Sequence, residues 1–115
     1  MLDNNQIIAC AAEINSCLKD CMRLRDQYTK SSIIKTVELL NRIHENMRKL
    51  AFLENSSMQY SIKIQIDNEE YPYSNWLNEI VAPNYNIILA SLELRCAING
   101  VTLDFNEQTM RVSLR

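Results

Sequence analysis

Neither glycine nor proline occurs in the first 71 residues of this 115-residue chain. Proline breaks a helix because it lacks an amide donor, and glycine weakens one through its backbone entropy. A long N-terminal stretch is therefore free to form continuous helix. The only glycine is Gly100, and the two prolines are Pro72 and Pro83. This scarcity of glycine excludes glycine-rich phosphate loops, collagen repeats and flexible glycine linkers.

Residues 3–28 are predicted to form the first helix. Asp3 is a suitable N-cap, and Gln6 three positions later completes a capping box. Apolar residues then recur at alternating spacings of three and four, which is the heptad pattern of a coiled-coil seam. The seam consists of Ile7, Cys10, Ile14, Cys17, Cys21, Leu24 and Tyr28.

A second apolar stripe begins at Ile33 in a different helical phase, and the phase changes within residues 29–32. The hydroxyl side chains of that segment suit a turn and a second N-cap. We therefore expect residues 3–54 to form an antiparallel helical hairpin whose second helix spans residues 33–54. The alternative is one kinked helix of about 75 Å, which would have to oligomerise to cover its apolar face.

The C-terminal half changes to a period of two, which is typical of half-buried strands. Alternation runs through residues 58–66 and continues on both sides of Asn99-Gly100, the dipeptide of type I′ hairpin turns. Residues 110–114 alternate in the same way and predict a further strand. The stretch 84–91 fits either a helix or a strand.

Together these patterns predict an α+β fold in a single domain spanning residues 1–115. An N-terminal two-helix antiparallel hairpin would pack on a mostly antiparallel, four-stranded C-terminal sheet within residues 58–115. An irregular connection over 67–86 would contain a short helix that ends before Pro83. The turn at Gly100 would set Arg95 opposite Asp104 as a cross-strand ion pair on the outer face of the sheet.

The charge pattern and the N-terminus exclude several classes of protein. The net charge is −2 and no cluster of lysines and arginines is present, so we expect no binding to nucleic acid. No apolar run approaches the ~18 residues of a membrane helix. The N-terminal segment lacks the basic region of a signal peptide, so we expect a cytoplasmic, reducing location. We expect no cofactor.

The four cysteines are expected to be small buried hydrophobic residues without disulfides. Cys10 and Cys21 would lie about 16 Å apart along one helix, too far to share a metal ion. The alternatives are a zinc site from Cys17, Cys21, Cys96 and His44, and a nucleophilic pair of Cys17 and His44. We predict no metal site.

His44 is the only histidine, and Glu45 follows it on the second predicted helix. Residues 41–50 resemble the phosphoacceptor helix of histidine phosphotransfer and kinase dimerisation domains. The segment lacks the proline that many such helices carry. The resemblance implies phosphotransfer through an exposed His44 on a hairpin that dimerises into a four-helix bundle. The alternative is a histidine at the edge of the core that hydrogen-bonds a neighbour.

Half of the aromatic residues lie within a single irregular stretch of fifteen positions. Tyrosine and tryptophan give rigid contact area with a polar tip, which favours interfaces and ligand pockets. The alternative is that this stretch closes one end of the core. With the arginines of the predicted outer sheet face, the candidate binding residues are Tyr71, Tyr73, Trp76, Tyr85, Arg95, Arg111 and Arg115.

The predicted function is that of a non-catalytic protein-interaction module: an adaptor, an assembly subunit, or a small inhibitor or sequestering protein. The apolar stripes of the helices predict a homodimer or higher homo-oligomer and a protein partner. One alternative is a histidine phosphotransfer protein using His44. Another is a small-ligand or nucleotide-binding protein using residues 71–86. No motif of a hydrolase, metalloprotease or nucleotide-binding loop is present.

Overall fold

The computed structural model describes residues 2–115. Two long helices, α1 (Asn4–Leu24) and α2 (Lys30–Leu50), pack together as the predicted hairpin. The remaining elements in chain order are a 3-10 turn (Ala51–Asn55), α3 (Met58–Ser61), β1 (Lys63–Ile66), β2 (Glu69–Pro72), α4 (Tyr73–Trp76), a π turn (Leu77–Val81), α5 (Ala82–Ile98), β3 (Leu103–Asn106) and β4 (Arg111–Leu114).

Both long helices begin at side-chain caps that the sequence predicts. The Asp3 carboxylate accepts from the Gln6 amide at 2.8 Å, and the Gln6 side chain accepts from the Asp3 amide at 2.9 Å, so the predicted capping box is confirmed. Thr29 caps α2 by accepting from the amide of Ser32 at 3.1 Å. An ion pair of 2.7 Å between Glu13 and Arg42 joins the two helices.

The predicted four-stranded sheet is wrong, because the four strands form two separate two-stranded antiparallel sheets. In one sheet Ile64 lies opposite Tyr71, and in the other Phe105 lies opposite Val112. Only the last part of the predicted strand 58–66 is extended, since Met58–Ser61 is a short helix.

The segment predicted as the strand before Gly100 is the C-terminal half of helix α5. Leu92 and Cys96, four residues apart, are buried, whereas Leu94 and Ile98, also four apart, are exposed. A helix with apolar residues on two opposite sides produces the same alternation as a strand, and that is why the period of two was misleading. Residues 84–91, which fitted either structure, are helical.

Asn99-Gly100 ends helix α5 and is not a hairpin turn. Gly100 has a φ of +66°; its amide donates to the carbonyl of Ala97 at 3.3 Å, and the amide of Val101 donates to the carbonyl of Cys96 at 2.9 Å. These two bonds define a Schellman motif. Both a type I′ turn and this helix end require a left-handed residue, so the dipeptide alone does not separate them.

Pro83 does not end a helix as predicted. The chain is helical without interruption from Tyr73 to Ile98, and the π turn Leu77–Val81 lies immediately before the proline. A proline ring clashes with the carbonyl four residues earlier in an ideal α-helix. The wider π turn, in which the Ala82 amide donates to the Leu77 carbonyl, relieves that clash.

One continuous apolar core connects the hairpin with the C-terminal elements. It extends from Ile7 and Leu40 of the hairpin through Trp76 and Leu92 to Val112 of β4. Across residues 2–115, no helix combines the length and the apolar character needed to cross a membrane.

Candidate functional site

The single histidine is buried where α2 meets α5. Its side chain is 2% exposed. His44 Nε2 lies 2.7 Å from the hydroxyl oxygen of Tyr85. The ring centroid lies 5.4 Å from that of Tyr85 and 5.7 Å from that of Phe105 on β3. Elements far apart in the chain therefore meet at this imidazole.

Beside this histidine lies a cavity of about 410 Å³, which we call the His44 cavity. Its walls are α2, the π turn, the start of α5 and the β3–β4 hairpin. Volumes of 300–1,000 Å³ are usual for sites that hold small molecules. The lining is mainly apolar and includes Ile43, Met47, Leu77, Val81, Phe105 and Met110.

Two irregular backbone features border the His44 cavity. The π turn supplies Leu77 and Val81, and π turns inside helices frequently occur at functional sites. Met110 has a φ of +50°, a left-handed conformation that is costly for a side chain of this size. Backbone strain of this kind clusters at ligand-binding and active sites.

Arg48 and Glu54 are the charged residues that line the cavity. Arg48 Nη1 donates to the carbonyls of Thr109 and Met110, at 2.5 and 3.2 Å, and so ties the β3–β4 turn to α2. Among residues 2–115, no carboxylate forms an ion pair with Arg48. The positively charged Arg48 side chain at the cavity wall is thus held in place by two neutral carbonyls.

Burial lowers the pKa of His44, and the nearby charge of Arg48 lowers it further. The Met110 carbonyl offsets part of this change. This carbonyl accepts no hydrogen bond of good geometry from the ring. Within the described part of the chain, Nδ1 therefore has no hydrogen-bond partner. The imidazole is therefore neutral at pH 7 and keeps one buried nitrogen unpaired.

The hydrogen-bond pattern assigns the proton of this neutral ring to Nδ1. Burial raises the pKa of Tyr85 to about 12, so its phenol keeps its proton. The one acceptor that the described residues offer this hydroxyl is His44 Nε2. If the phenol donates there, the proton of the neutral ring resides on Nδ1. The opposite direction would leave both the phenol proton and Nδ1 without partners.

The four predicted aromatic residues do not converge. Tyr73 and Trp76 are buried against each other with ring centroids 5.6 Å apart, and Trp76 Nε1 donates to the side-chain oxygen of Asn15 at 2.8 Å. Both belong to the apolar core. Tyr71 is half-buried on β2 and donates to Glu69. Of the four, only Tyr85 lines the His44 cavity.

The three predicted arginines do not form a common surface either. Arg95 is fully buried on α5, so the predicted ion pair with Asp104 is wrong. Asp104 pairs instead with Arg115, which lies one position beyond β4. Arg111 is exposed on β4.

Arg95 belongs to a polar stripe that binds the connection between α1 and α2. Ser91, Arg95 and Asn99 lie four residues apart and donate to the carbonyls of residues 25, 27 and 28, at 2.7, 3.4 and 2.9 Å. The guanidinium of Arg95 donates to the carbonyls of Gln27 and Ser91 and to the hydroxyls of Ser32 and Thr36. These neutral acceptors stabilise the buried charge without a carboxylate.

The cysteines are free thiols, and Cys17, Cys21 and Cys96 are buried. Burial raises the pKa of each of these three thiols, that of Cys21 to about 12. A thiol that holds its proton is a poor nucleophile. In the described range 2–115, no three His, Cys, Asp or Glu side chains are grouped to hold a metal ion.

Sequence reasoning singled out His44 and Tyr85 separately and missed their pairing. It also missed Arg48, Phe105 and Met110 as cavity residues. No protein-family model, curated protein or solved structure matches the chain. The geometry of the His44 cavity is therefore the basis for a functional proposal.

Proposed function

We propose that this protein is a non-catalytic binding protein that holds a small, largely apolar molecule in the His44 cavity. The observation that carries this proposal is a mainly apolar cavity of ligand size between α2, the start of α5 and the β3–β4 hairpin. Sites that hold small molecules are mostly apolar concavities with a few polar groups in their walls.

A bound molecule would fill this cavity, and the Tyr85 and Arg48 side chains in its lining offer polar contacts. The apolar walls add the free energy of removing the ligand's hydrocarbon surface from water. The π turn and the left-handed Met110, both at the wall, support the same proposal.

The same geometry argues against phosphotransfer through His44. A phosphoacceptor histidine must offer a ring nitrogen to a partner's phosphoryl group. Here the side chain is 2% exposed and Nε2 is engaged by Tyr85. A ligand held in the cavity does not require His44 to lie at the protein surface.

The test is a titration with the neutral fluorescent probe N-phenyl-1-naphthylamine. We expect saturable binding to the wild-type protein and loss of binding in Ala82→Trp, because Ala82 lines the cavity at an exposed position and a larger side chain fills the space. Ala9→Trp, an exposed alanine on α1, is the matched control and should bind like the wild type. Absence of saturable binding, or equal binding by Ala82→Trp, would refute the proposal.

A second candidate function is self-assembly through the outer face of α5. The sequence predicted an oligomer from the apolar stripes of the two hairpin helices, but those stripes are largely buried within the chain. Ile87, Leu94 and Ile98 are 47%, 54% and 61% exposed along this face. Glu93 is the only charged residue on the exposed side of the helix. A helix that is apolar on opposite sides is normally buried on both. The occupant we propose is α5 of a second copy, because two such faces meet without a row of like charges.

A further inference from the structure

The side chains of the His44 cavity also indicate the chemical class of its ligand, an inference that rests on the proposed function. We propose that the ligand is an uncharged aromatic molecule whose ring packs against the rings of Tyr85 and Phe105 and the thioethers of Met47 and Met110. These four side chains come from α2, α5 and the β3–β4 hairpin, and all of them line the cavity.

The first step is the composition of the lining. Methionine and aromatic residues, with histidine included, account for five of the thirteen lining residues, whereas isoleucine, leucine and valine account for three. In the whole chain the proportion is reversed, with 14 residues of the first kind and 30 of the second. Apolar side chains taken evenly from this chain would give a mainly aliphatic wall. Rings and thioethers are therefore concentrated at this cavity.

The second step is the ring surface that remains for a ligand. His44 is 2% exposed, and its ring already contacts those of Tyr85 and Phe105, with centroid distances of 5.4 and 5.7 Å. Phe105 is 42% exposed and Tyr85 is half-buried, so both retain surface that a ligand can cover. Tilted or offset contacts between aromatic rings stabilise a complex beyond the burial of their area. An aromatic ligand would extend this cluster of three rings.

The third step is the presence of two methionine sulfurs in the same lining. Met47 is half-buried on α2, and Met110 is 39% exposed in the turn between β3 and β4. Polarizable thioethers make favourable contacts with aromatic rings, which a saturated ligand does not gain. Rings and thioethers occur on both helices and on the hairpin, so a bound ring would meet them on more than one wall.

The fourth step concerns the charge of the ligand. Arg48 and Glu54 are the charged lining residues, and both are exposed. A cationic ligand would meet the like charge of Arg48, and an anionic ligand would meet that of Glu54. A ligand of either charge would also lose hydration against a mainly apolar wall. An uncharged ligand carries neither cost.

The experiment compares 4-phenylbutan-1-ol with 4-cyclohexylbutan-1-ol, which share the alcohol chain and differ only in the saturation of the ring. Binding to the wild-type protein is measured by calorimetry. The saturated ring presents more hydrocarbon surface, so transfer from water alone favours the cyclohexyl compound. We expect the phenyl compound to bind about threefold more tightly, because its contacts with rings and thioethers outweigh that difference. The anion 4-phenylbutanoate should bind more weakly than the phenyl alcohol.

Phe105→Leu is the first variant, because it removes a ring from the wall and keeps an apolar side chain. It should abolish the preference for the phenyl compound and leave the affinity for the cyclohexyl compound nearly unchanged. Phe52→Leu is the matched control, since the other phenylalanine packs against the core and is not among the lining residues; it should retain the preference. Met47→Leu, a change of similar volume on α2, should reduce the preference.

Three results would show that this ligand class is wrong while the proposed function stands. They are equal or tighter binding of the cyclohexyl compound, a preference that persists in both Phe105→Leu and Met47→Leu, and tighter binding of 4-phenylbutanoate than of the phenyl alcohol. If neither alcohol binds, the ligand class is wrong, and the titration with the fluorescent probe decides whether the proposed function fails with it.

Discussion

At the scale of single residues, His44 predicts how stability depends on pH. Its folded-state pKa lies below the unfolded value of 6.5 because of burial and the charge of Arg48. The unfolded chain therefore binds a proton near pH 6.5 while the folded chain does not. The free energy of unfolding should fall as the pH drops below about 6.5 and stop falling at the folded-state pKa, with no contribution from this group to changes above 6.5.

Urea denaturation measured at several pH values checks this prediction. His44 is the only histidine, so no second imidazole obscures the step. Burial raises the pKa of the neighbouring Tyr85 to about 12, so this phenol does not contribute to the step. His44→Gln keeps a polar side chain and should abolish the step. A step that persists in His44→Gln would show that another group is responsible.

Arg95 shows why single residues can be misplaced by sequence reasoning. An arginine between apolar neighbours in an alternating pattern is expected on the solvent-exposed face of a strand, since charged side chains are rarely buried alone. The carbonyl of Gln27 in the α1–α2 connection and the hydroxyls of Ser32 and Thr36 satisfy it inside the protein. Those partners are about 60 residues or more away in the chain and leave no local signal.

At the scale of elements, the N-terminal half of the fold was predicted correctly from local signals. The capping box at Asp3, the helical hairpin and the turn near Thr29 follow from side chains within a few positions of each other. The C-terminal half of helix α5 was predicted as a strand because the helix has apolar residues on two sides. The rest of the molecule covers only one of these sides. Asn99-Gly100 predicted a hairpin although it ends a helix, because both structures require a left-handed residue.

The β3–β4 hairpin predicts a strong dependence on one asparagine. Asn41 of α2 donates to the carbonyl of Val112 at 2.9 Å and accepts from its amide at 2.8 Å. A lone two-stranded hairpin is marginally stable at best, so it needs such docking contacts. Asn41→Ala should lower the free energy of unfolding by about 2 kcal/mol, because it removes two hydrogen bonds that contribute about 1 kcal/mol each. It should also speed hydrogen exchange at the Val112 amide.

Asn41→Asp keeps the acceptor for the Val112 amide but loses the donor, so its effect should be intermediate. Lys49→Ala, at an exposed position of the same helix, controls for changes in α2 itself. Exchange at Val112 that is no faster in Asn41→Ala than in the control would mean that apolar packing alone holds the hairpin. Because Phe105 and Met110 of this region wall the His44 cavity, the variant should also bind the neutral probe less tightly.

At the scale of the whole molecule, the candidate site depends on the tertiary arrangement more than on any element. His44 and Tyr85 are 41 residues apart, and Arg48 reaches the turn at Thr109 and Met110 over a still longer separation. The sequence identified the histidine and the tyrosine as residues of interest. Their meeting depends on how α5 and the β3–β4 hairpin pack against α2, which no periodicity within one segment encodes.

The same arrangement leaves one face of α5 uncovered and so predicts self-association. We expect a dimer in sedimentation velocity experiments, with α5 of each copy at the interface. Leu94→Glu places a charge in the centre of that face and should give a monomer with an unchanged circular dichroism spectrum. Ile8→Glu alters a residue of α1 with similar exposure, 47% against 54%, and should remain dimeric. A wild-type monomer, or loss of the dimer in Ile8→Glu but not in Leu94→Glu, would exclude this interface.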